Sequence, residues 1–217
     1  MNKKDLREKY KKIRNDIENK ELKSKIITDK IINSKIFNES RVVALYSNLP
    51  SEVDTTFLIN NSLNKRKIVL LPKVIDKFSM EFYKIESIKD LNVGSFGIKE
   101  PNRINKISRK DIDLIIVPGI CFDNSFNRIG FGKGYYDKYL YNDNKIIKIG
   151  ICFDEQILAN NSIETTEFDI KIDMILTDKN TLIKENSTKK LKKIWICARM
   201  VVFSHYHSGP LVKWFNT

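Results

Sequence analysis

Leu114-Ile115-Ile116-Val117-Pro118-Gly119, followed after a short loop by Arg128-Ile129-Gly130-Phe131-Gly132-Lys133-Gly134-Tyr135-Tyr136-Asp137, is the most informative stretch of this chain. The first four residues are apolar and largely β-branched, and Pro-Gly ends them, as expected of a strand buried on both faces. The alternating glycines then read as a loop, and a helix is predicted to begin near Tyr135. A strand, a glycine-rich loop and a helix in succession form the repeating unit of a parallel α/β sheet.

Further strands are predicted on either side of this unit. Val42 to Tyr46 and Lys67 to Leu71 are short apolar runs, the second stopped by Pro72. Met80 to Ile85 alternates and reads as a half-exposed strand. Ile146 to Ile151 and Asp173 to Leu176 complete the set. Helices are predicted over the first 40 residues, where Leu6, Tyr10, Ile13 and Ile17, then Leu22, Ile26, Ile27 and Ile31, recur at helical spacing. Another is predicted from Thr55 or Thr56 to about Asn64. The expectation is a three-layer α/β/α domain with a mainly parallel sheet. Ligands in such sheets bind beyond the carboxyl ends of the strands.

Bulk properties bound the function. No apolar run approaches the roughly 20 residues that span a bilayer. Met1-Asn2-Lys3-Lys4-Asp5 leads into charge rather than a signal core, so a cytoplasmic location is expected. Cys121, Cys152 and Cys197 form no C-x-x-C pair. The first two stand beside apolar runs and read as small core residues. The formal net charge is +12. Lys189, Lys190, Lys192, Lys193, Arg199 and Lys213 supply +6 of it, with no acidic residue after position 188. The other +6 on residues 1–188 suits a protein that binds anionic small molecules and does not require nucleic acid. Both tryptophans and both histidines lie in the tail, at Trp195, Trp214, His205 and His207. The chain therefore divides into an α/β domain, 1–188, and a compositionally distinct tail, 189–217, which is either a native basic arm or foreign sequence. Chemistry in the body must proceed without histidine.

The glycine loop is built for an anion. Glycines let backbone N–H groups approach a phosphate closely. A following helix N-terminus adds partial positive charge. Arg128 and Lys133 add two full charges. The spacing is G-x-G-x-G, neither a P-loop nor a dinucleotide fingerprint.

The string Arg128 to Asp137, preceded by Val117-Pro118-Gly119 and Phe122-Asp123, resembles the signature of the 5-formyltetrahydrofolate cyclo-ligases. Four other segments match in order: Lys3-Lys4-Asp5-Leu6-Arg7 with Arg14 beyond it, Ser51-Glu52-Val53-Asp54-Thr55, Phe96-Gly97-Ile98-Lys99-Glu100-Pro101, and Phe168-Asp169-Ile170-Lys171-Ile172-Asp173. The resemblance covers roughly residues 1–180. It implies a fold like that of ribose-phosphate isomerase and CoA-transferase relatives. The implied activity is ATP- and Mg²⁺-dependent cyclisation of 5-formyltetrahydrofolate to 5,10-methenyltetrahydrofolate. By the same resemblance, Lys133, Tyr135 and Arg128 are the expected catalytic residues. Lys3, Lys4, Arg7, Arg128, Gly130, Gly132, Lys133, Gly134, Tyr135 and Tyr136 are expected on ATP. Glu52, Phe131, Gly132, Lys133, Gly134 and Tyr135 are expected on the folate, and Asp137 and Asp173 on Mg²⁺. Phe131 stands where many relatives carry Tyr or Arg. The implied partners are the folate and ATP, with no nucleic acid or membrane, in a monomer or weak dimer. A basic nucleic-acid-binding protein without activity, and an inactive or thiamine-related family paralogue, are the alternative readings.

Overall fold

A computed structural model of the chain describes residues 1–94, 97–102 and 104–184. The expected boundary at residue 188 and the tail lie outside the described residues.

The core is a seven-stranded sheet. Its strands are β1 (Val42–Ala44), β2 (Ile68–Val74), β3 (Met80–Ile85), β6 (Leu114–Pro118), β9 (Ile147–Ile151), β11 (Met174–Leu176) and β12 (Thr181–Ile183). The spatial order is β12-β11-β9-β6-β1-β2-β3. The five central strands run parallel, and β12 and β3 close the edges antiparallel. Every residue of β9 is buried, as are the first four of β6, which is why these strands read as unbroken apolar runs.

Alternation along the strands divides the core into two. Val43, Val69, Leu71, Ile116 and Ile149 face one layer. There they meet Ile27 and Ile31 of α2 (Lys20–Ile32), Ile36 and Phe37 of α3 (Lys35–Glu39), and Leu58 and Ile59 of α4 (Thr56–Asn64). Val42, Ala44, Leu70, Ile115 and Val117 face the other, against Leu140 of α5 (Tyr135–Leu140) and the chain at Ile170 and Ile172. The result is the expected three layers, the second helical layer being thin.

Pro72 does not stop β2, contrary to expectation. The Leu70 carbonyl accepts from Leu45 N–H of the next segment at 2.8 Å, so it faces β1. Strand geometry turns Pro72 to the same side, where β1 has already ended, so its missing N–H costs no ladder bond.

A second, three-stranded sheet was not expected. It comprises β7 (Cys121–Asp123), β8 (Arg128–Ile129) and β10 (Ile157–Leu158). Ile120, Cys121, Ile129 and Ile163 bury Leu6 of α1 (Lys3–Asp16) and so dock that helix beside the glycine loop. A third element, the hairpin of β4 (Leu91–Val93) and β5 (Lys99–Pro101), packs beside β2.

Candidate active site

The parallel strands change direction of progression between β1 and β6. Chain order runs outward from β1 to β2 on one side and from β6 to β9 to β11 on the other. A crevice opens at such a switch point beyond the carboxyl ends. Here it is a cavity of about 700 Å³, with Tyr46 and Ser47 following β1, and Pro118 at the end of β6, in its wall.

The glycine loop forms another wall. Gly132 and Gly134 have φ of 100° and 67°, conformations that a side chain strains. Gly130 is needed for a different reason: a Cβ there would lie 2.5 Å from Nη1 of Arg128. Lys133 is exposed and makes no ion pair among the described residues. Arg128, by contrast, is held. Its guanidinium gives paired bonds of 3.1 and 3.0 Å to the Asp137 carboxylate and one of 3.3 Å to the Pro118 carbonyl. The expected helix begins at Tyr135 but is short, with six residues.

Helix α1 supplies the third wall. Lys3 and Arg7, one turn apart, both line the cavity, while Lys4 points outward and is exposed. Arg7 Nε donates to the Gly130 carbonyl at 2.9 Å, which ties the helix to the loop. Lys3 pairs with Asp169 at 2.6 Å. Burial raises the Asp169 pKa, but the bonds from Lys3 and Thr166 outweigh it and leave the acid below its ordinary value.

Expectation and geometry part at the second acidic residue. Asp173 is not among the cavity residues. It immediately precedes β11, at the amino end of a parallel strand, and its carboxylate accepts from the Lys148 amide at 2.9 Å. That is the opposite end of the sheet from the cavity. Asp169 lines the cavity with Asp137 instead, and the amide of the residue after it, Ile170, donates to Asp137 Oδ1 at 3.3 Å.

Glu52, expected on the folate, lines the cavity and is buried. Each oxygen has a donor, the Leu49 amide at 2.9 Å and Arg14 Nη1 at 3.3 Å. Burial raises the Glu52 pKa, and these bonds oppose that shift without cancelling it. The Arg14 guanidinium also sits 5.2 Å from the centre of the Phe131 ring, so the aromatic residue covers one face of this ion pair. Tyr135 and Tyr136 line the cavity, and the Tyr136 hydroxyl is buried without a partner among the described residues. Desolvation pushes its pKa well above the ordinary phenol value.

Four cations and four carboxylates therefore line the cavity: Lys3, Arg7, Arg128 and Lys133, with Glu52, Glu100, Asp137 and Asp169. Arg14 and Asp169 were quoted in the sequence without a role, and Glu100 only within its motif. No spacing rule distinguishes them.

The chain is similar to known proteins. The family model described as the 5-formyltetrahydrofolate cyclo-ligase family matches residues 1–178. A Schizosaccharomyces pombe protein named "Probable 5-formyltetrahydrofolate cyclo-ligase" is 39% identical over 155 residues, 64% of this chain and 76% of that protein. The 5-formyltetrahydrofolate cyclo-ligase of Mycoplasma genitalium is 33% identical over 166 residues, 75% of this chain and 87% of its own. An Aquifex aeolicus 5,10-methenyltetrahydrofolate synthetase solved by NMR superposes with a TM-score of 0.73 at 31% identity, covering 96% of this chain and all of that one. With its motifs in order, its cavity at the switch point and a family match over residues 1–178, this chain belongs to the 5-formyltetrahydrofolate cyclo-ligase family.

Proposed function

We propose that this chain closes the formyl group of 5-formyltetrahydrofolate onto N10 at the expense of ATP, giving 5,10-methenyltetrahydrofolate, ADP and phosphate. The observation that carries this reading is the meeting, in one cavity, of an anion-binding loop with cations from α1 and an apolar wall formed by Leu49, Val74, Met80 and Ile98. A triphosphate fits the first and a reduced pterin the second.

The reaction has two steps. The formyl oxygen attacks the γ-phosphorus, and the bond to ADP breaks. N10 then attacks the phosphorylated carbon, loses its proton, and phosphate departs with the carbon–oxygen bond. Both nucleophiles belong to the substrate, so the enzyme needs position and charge rather than a side-chain nucleophile. Lys133, Lys3 and Arg7 hold the phosphates. Arg128, held by Asp137 and the Pro118 carbonyl until the nucleotide arrives, joins them there. The aromatic rings of Tyr135 and Tyr136 orient the pterin against the apolar wall.

Asp137 and Asp169 would hold Mg²⁺. No group of three or more His, Cys, Asp or Glu able to hold a metal occurs among the described residues. Two carboxylates lining one cavity fit this ion nonetheless, since magnesium takes one or two carboxylates and completes its shell with phosphate and water. When bound, it neutralises phosphate charge.

The test is the appearance of 5,10-methenyltetrahydrofolate absorbance from 5-formyltetrahydrofolate, ATP and Mg²⁺. Turnover that requires all three supports the reading. Folded protein that binds neither ATP nor the formylfolate overturns it.

A further inference from the structure

The β4–β5 hairpin places a carboxylate against the cavity. Glu100 of β5 has a side chain only 8% exposed, and it lines the wall with Ile98, Val74 and Met80. Among the described residues its donors are distant. The Val74 amide lies 3.5 Å from Oε1, and Lys73 Nζ lies 3.8 Å from Oε2. The other cavity carboxylates are better served: Glu52 by the Leu49 amide at 2.9 Å, Asp137 by Arg128 at 3.0 Å and Asp169 by Lys3 at 2.6 Å. A buried carboxylate without a short donor has lost hydration that nothing has replaced. The chain also makes room for it. Gly94 stands so close that a Cβ there would lie 2.4 Å from Glu100 Oε2.

We propose that Glu100 is a substrate-binding residue that accepts the paired N–H donors of the substrate's 2-amino-4-oxopyrimidine edge. The assignment rests on the cyclo-ligase reading. That edge presents a ring N–H and an exocyclic amine side by side, a match for the two oxygens of one carboxylate. Adenine is the poorer match, because a ring acceptor lies beside its amine and would face the second oxygen. Position agrees with chemistry: Glu100 adjoins the apolar residues of the wall rather than the glycine loop. A site built around such a donor pair rejects analogues that lack it.

Calorimetric binding of 5-formyltetrahydrofolate and of ATP to wild type, Glu100→Gln and Gly94→Ala, with a melting curve for each, tests this. Glu100→Gln turns an amide donor toward the ring. Gly94→Ala keeps the acid, and its added methyl displaces the flexible end of Glu100. Both variants are expected to raise the Kd for 5-formyltetrahydrofolate at least about tenfold, as loss of a charged hydrogen bond does. The Kd for ATP should stay within about twofold. Glu100→Gln should also lose the wild-type preference for the folate over its 2-desamino analogue. If Glu100→Gln does not fold, Gly94→Ala carries the test alone. An unchanged folate Kd in a folded variant overturns the assignment, as does a parallel loss of ATP binding. Wild-type protein that turns over 5-formyltetrahydrofolate while the variants bind it normally sinks the Glu100 role only. Wild-type protein that does not bind it sinks the cyclo-ligase reading as well.

Discussion

Lys133 sits exposed between two glycines whose φ angles are positive, and it makes no ion pair among the described residues. Nothing among the described residues holds it, so its ammonium is available to an anion in the cavity. Negative charge builds on the transferred phosphoryl group and its new oxygen bond. A cation placed there stabilises that charge by about 2.7–4 kcal/mol, judged from the loss of a single oxyanion donor. Lys133→Ala is therefore expected to lower kcat by about 10²–10³. Melting should change little, because exposed substitutions usually stay within about 0.5 kcal/mol. Steady-state kinetics and a melting curve on the same preparation decide the matter. A loss below about threefold, or melting that falls with activity, would return Lys133 to the scaffold. The cysteines show the converse. Cys121 is fully buried, and desolvation pushes its thiol pKa up to about 12; burial likewise raises Cys152. Thiols rather than thiolates are present at neutral pH, and thiols are poor nucleophiles. Iodoacetamide at pH 8 should leave both unmodified in native protein and label both after denaturation. Peptide mass mapping reads the result, and rapid native labelling of either would contradict this packing.

Helix α1 transmits the fold to the site. Leu6 is 4% exposed, wedged among Ile120, Cys121, Ile129 and Ile163, while Lys3 and Arg7 of the same helix reach the cavity. Leu6→Ala should cost about 2–5 kcal/mol in denaturant unfolding. It should also weaken ATP binding under conditions where the protein remains folded, since the helix that aims both cations loses its anchor. Weaker stability with unchanged ATP affinity would show that Arg7 and the Gly130 carbonyl fix the helix by themselves. The small sheet that provides this anchor explains where sequence reading ran out. Residues 114–117 and 147–151 betray themselves as continuous apolar runs because both faces of their strands are covered. Strands β7, β8 and β10 have three, two and two residues, too few to display any period. The Arg14–Glu52 pair joins residues 38 apart, on a helix and a loop that only the packed core brings together. Asp169 and Asp173 share one motif and one chemistry. Four residues of extended chain span up to about 14 Å, and buried Ile170 and Ile172 show that this stretch runs along the sheet face. One acid consequently ends beside the cavity and the other at the amino end of β11. The glycine loop's place in the cavity was legible because its glycines and cations mark it; the place of Asp169 was not, because it depends on where the chain has travelled.

Across the whole molecule the cavity is charged but balanced. Lys3 neutralises Asp169 and Arg128 neutralises Asp137. On the proposed reading, ATP alone must draw these cations toward its phosphates, leaving two carboxylates beside a polyanion. Mg²⁺ alone must displace an ammonium and a guanidinium that have nowhere else to go. Together the two ligands exchange partners with the protein, and every charge is answered. Metal and nucleotide should therefore bind with strong mutual dependence, and linkage requires the effect to be reciprocal. Free ATP associates with Mg²⁺ in solution too, so synergy in wild type alone would not locate the cause in these pairs. Asp137→Asn separates the two, because it should act in opposite directions. With magnesium present, ATP binding should weaken by about tenfold or more, since a hard cation loses a carboxylate. In EDTA the same variant should bind ATP more tightly than wild type, since Arg128 is released from its partner and one repelling charge is gone. Opposite charges a few ångströms apart near a protein surface interact by several kcal/mol, so even a small fraction of that is measurable. Titration calorimetry of both proteins, with Mg²⁺ and with EDTA, gives the four constants. If Asp137→Asn weakened ATP binding equally under both conditions, its carboxylate would be supporting the loop rather than exchanging partners with the ligands.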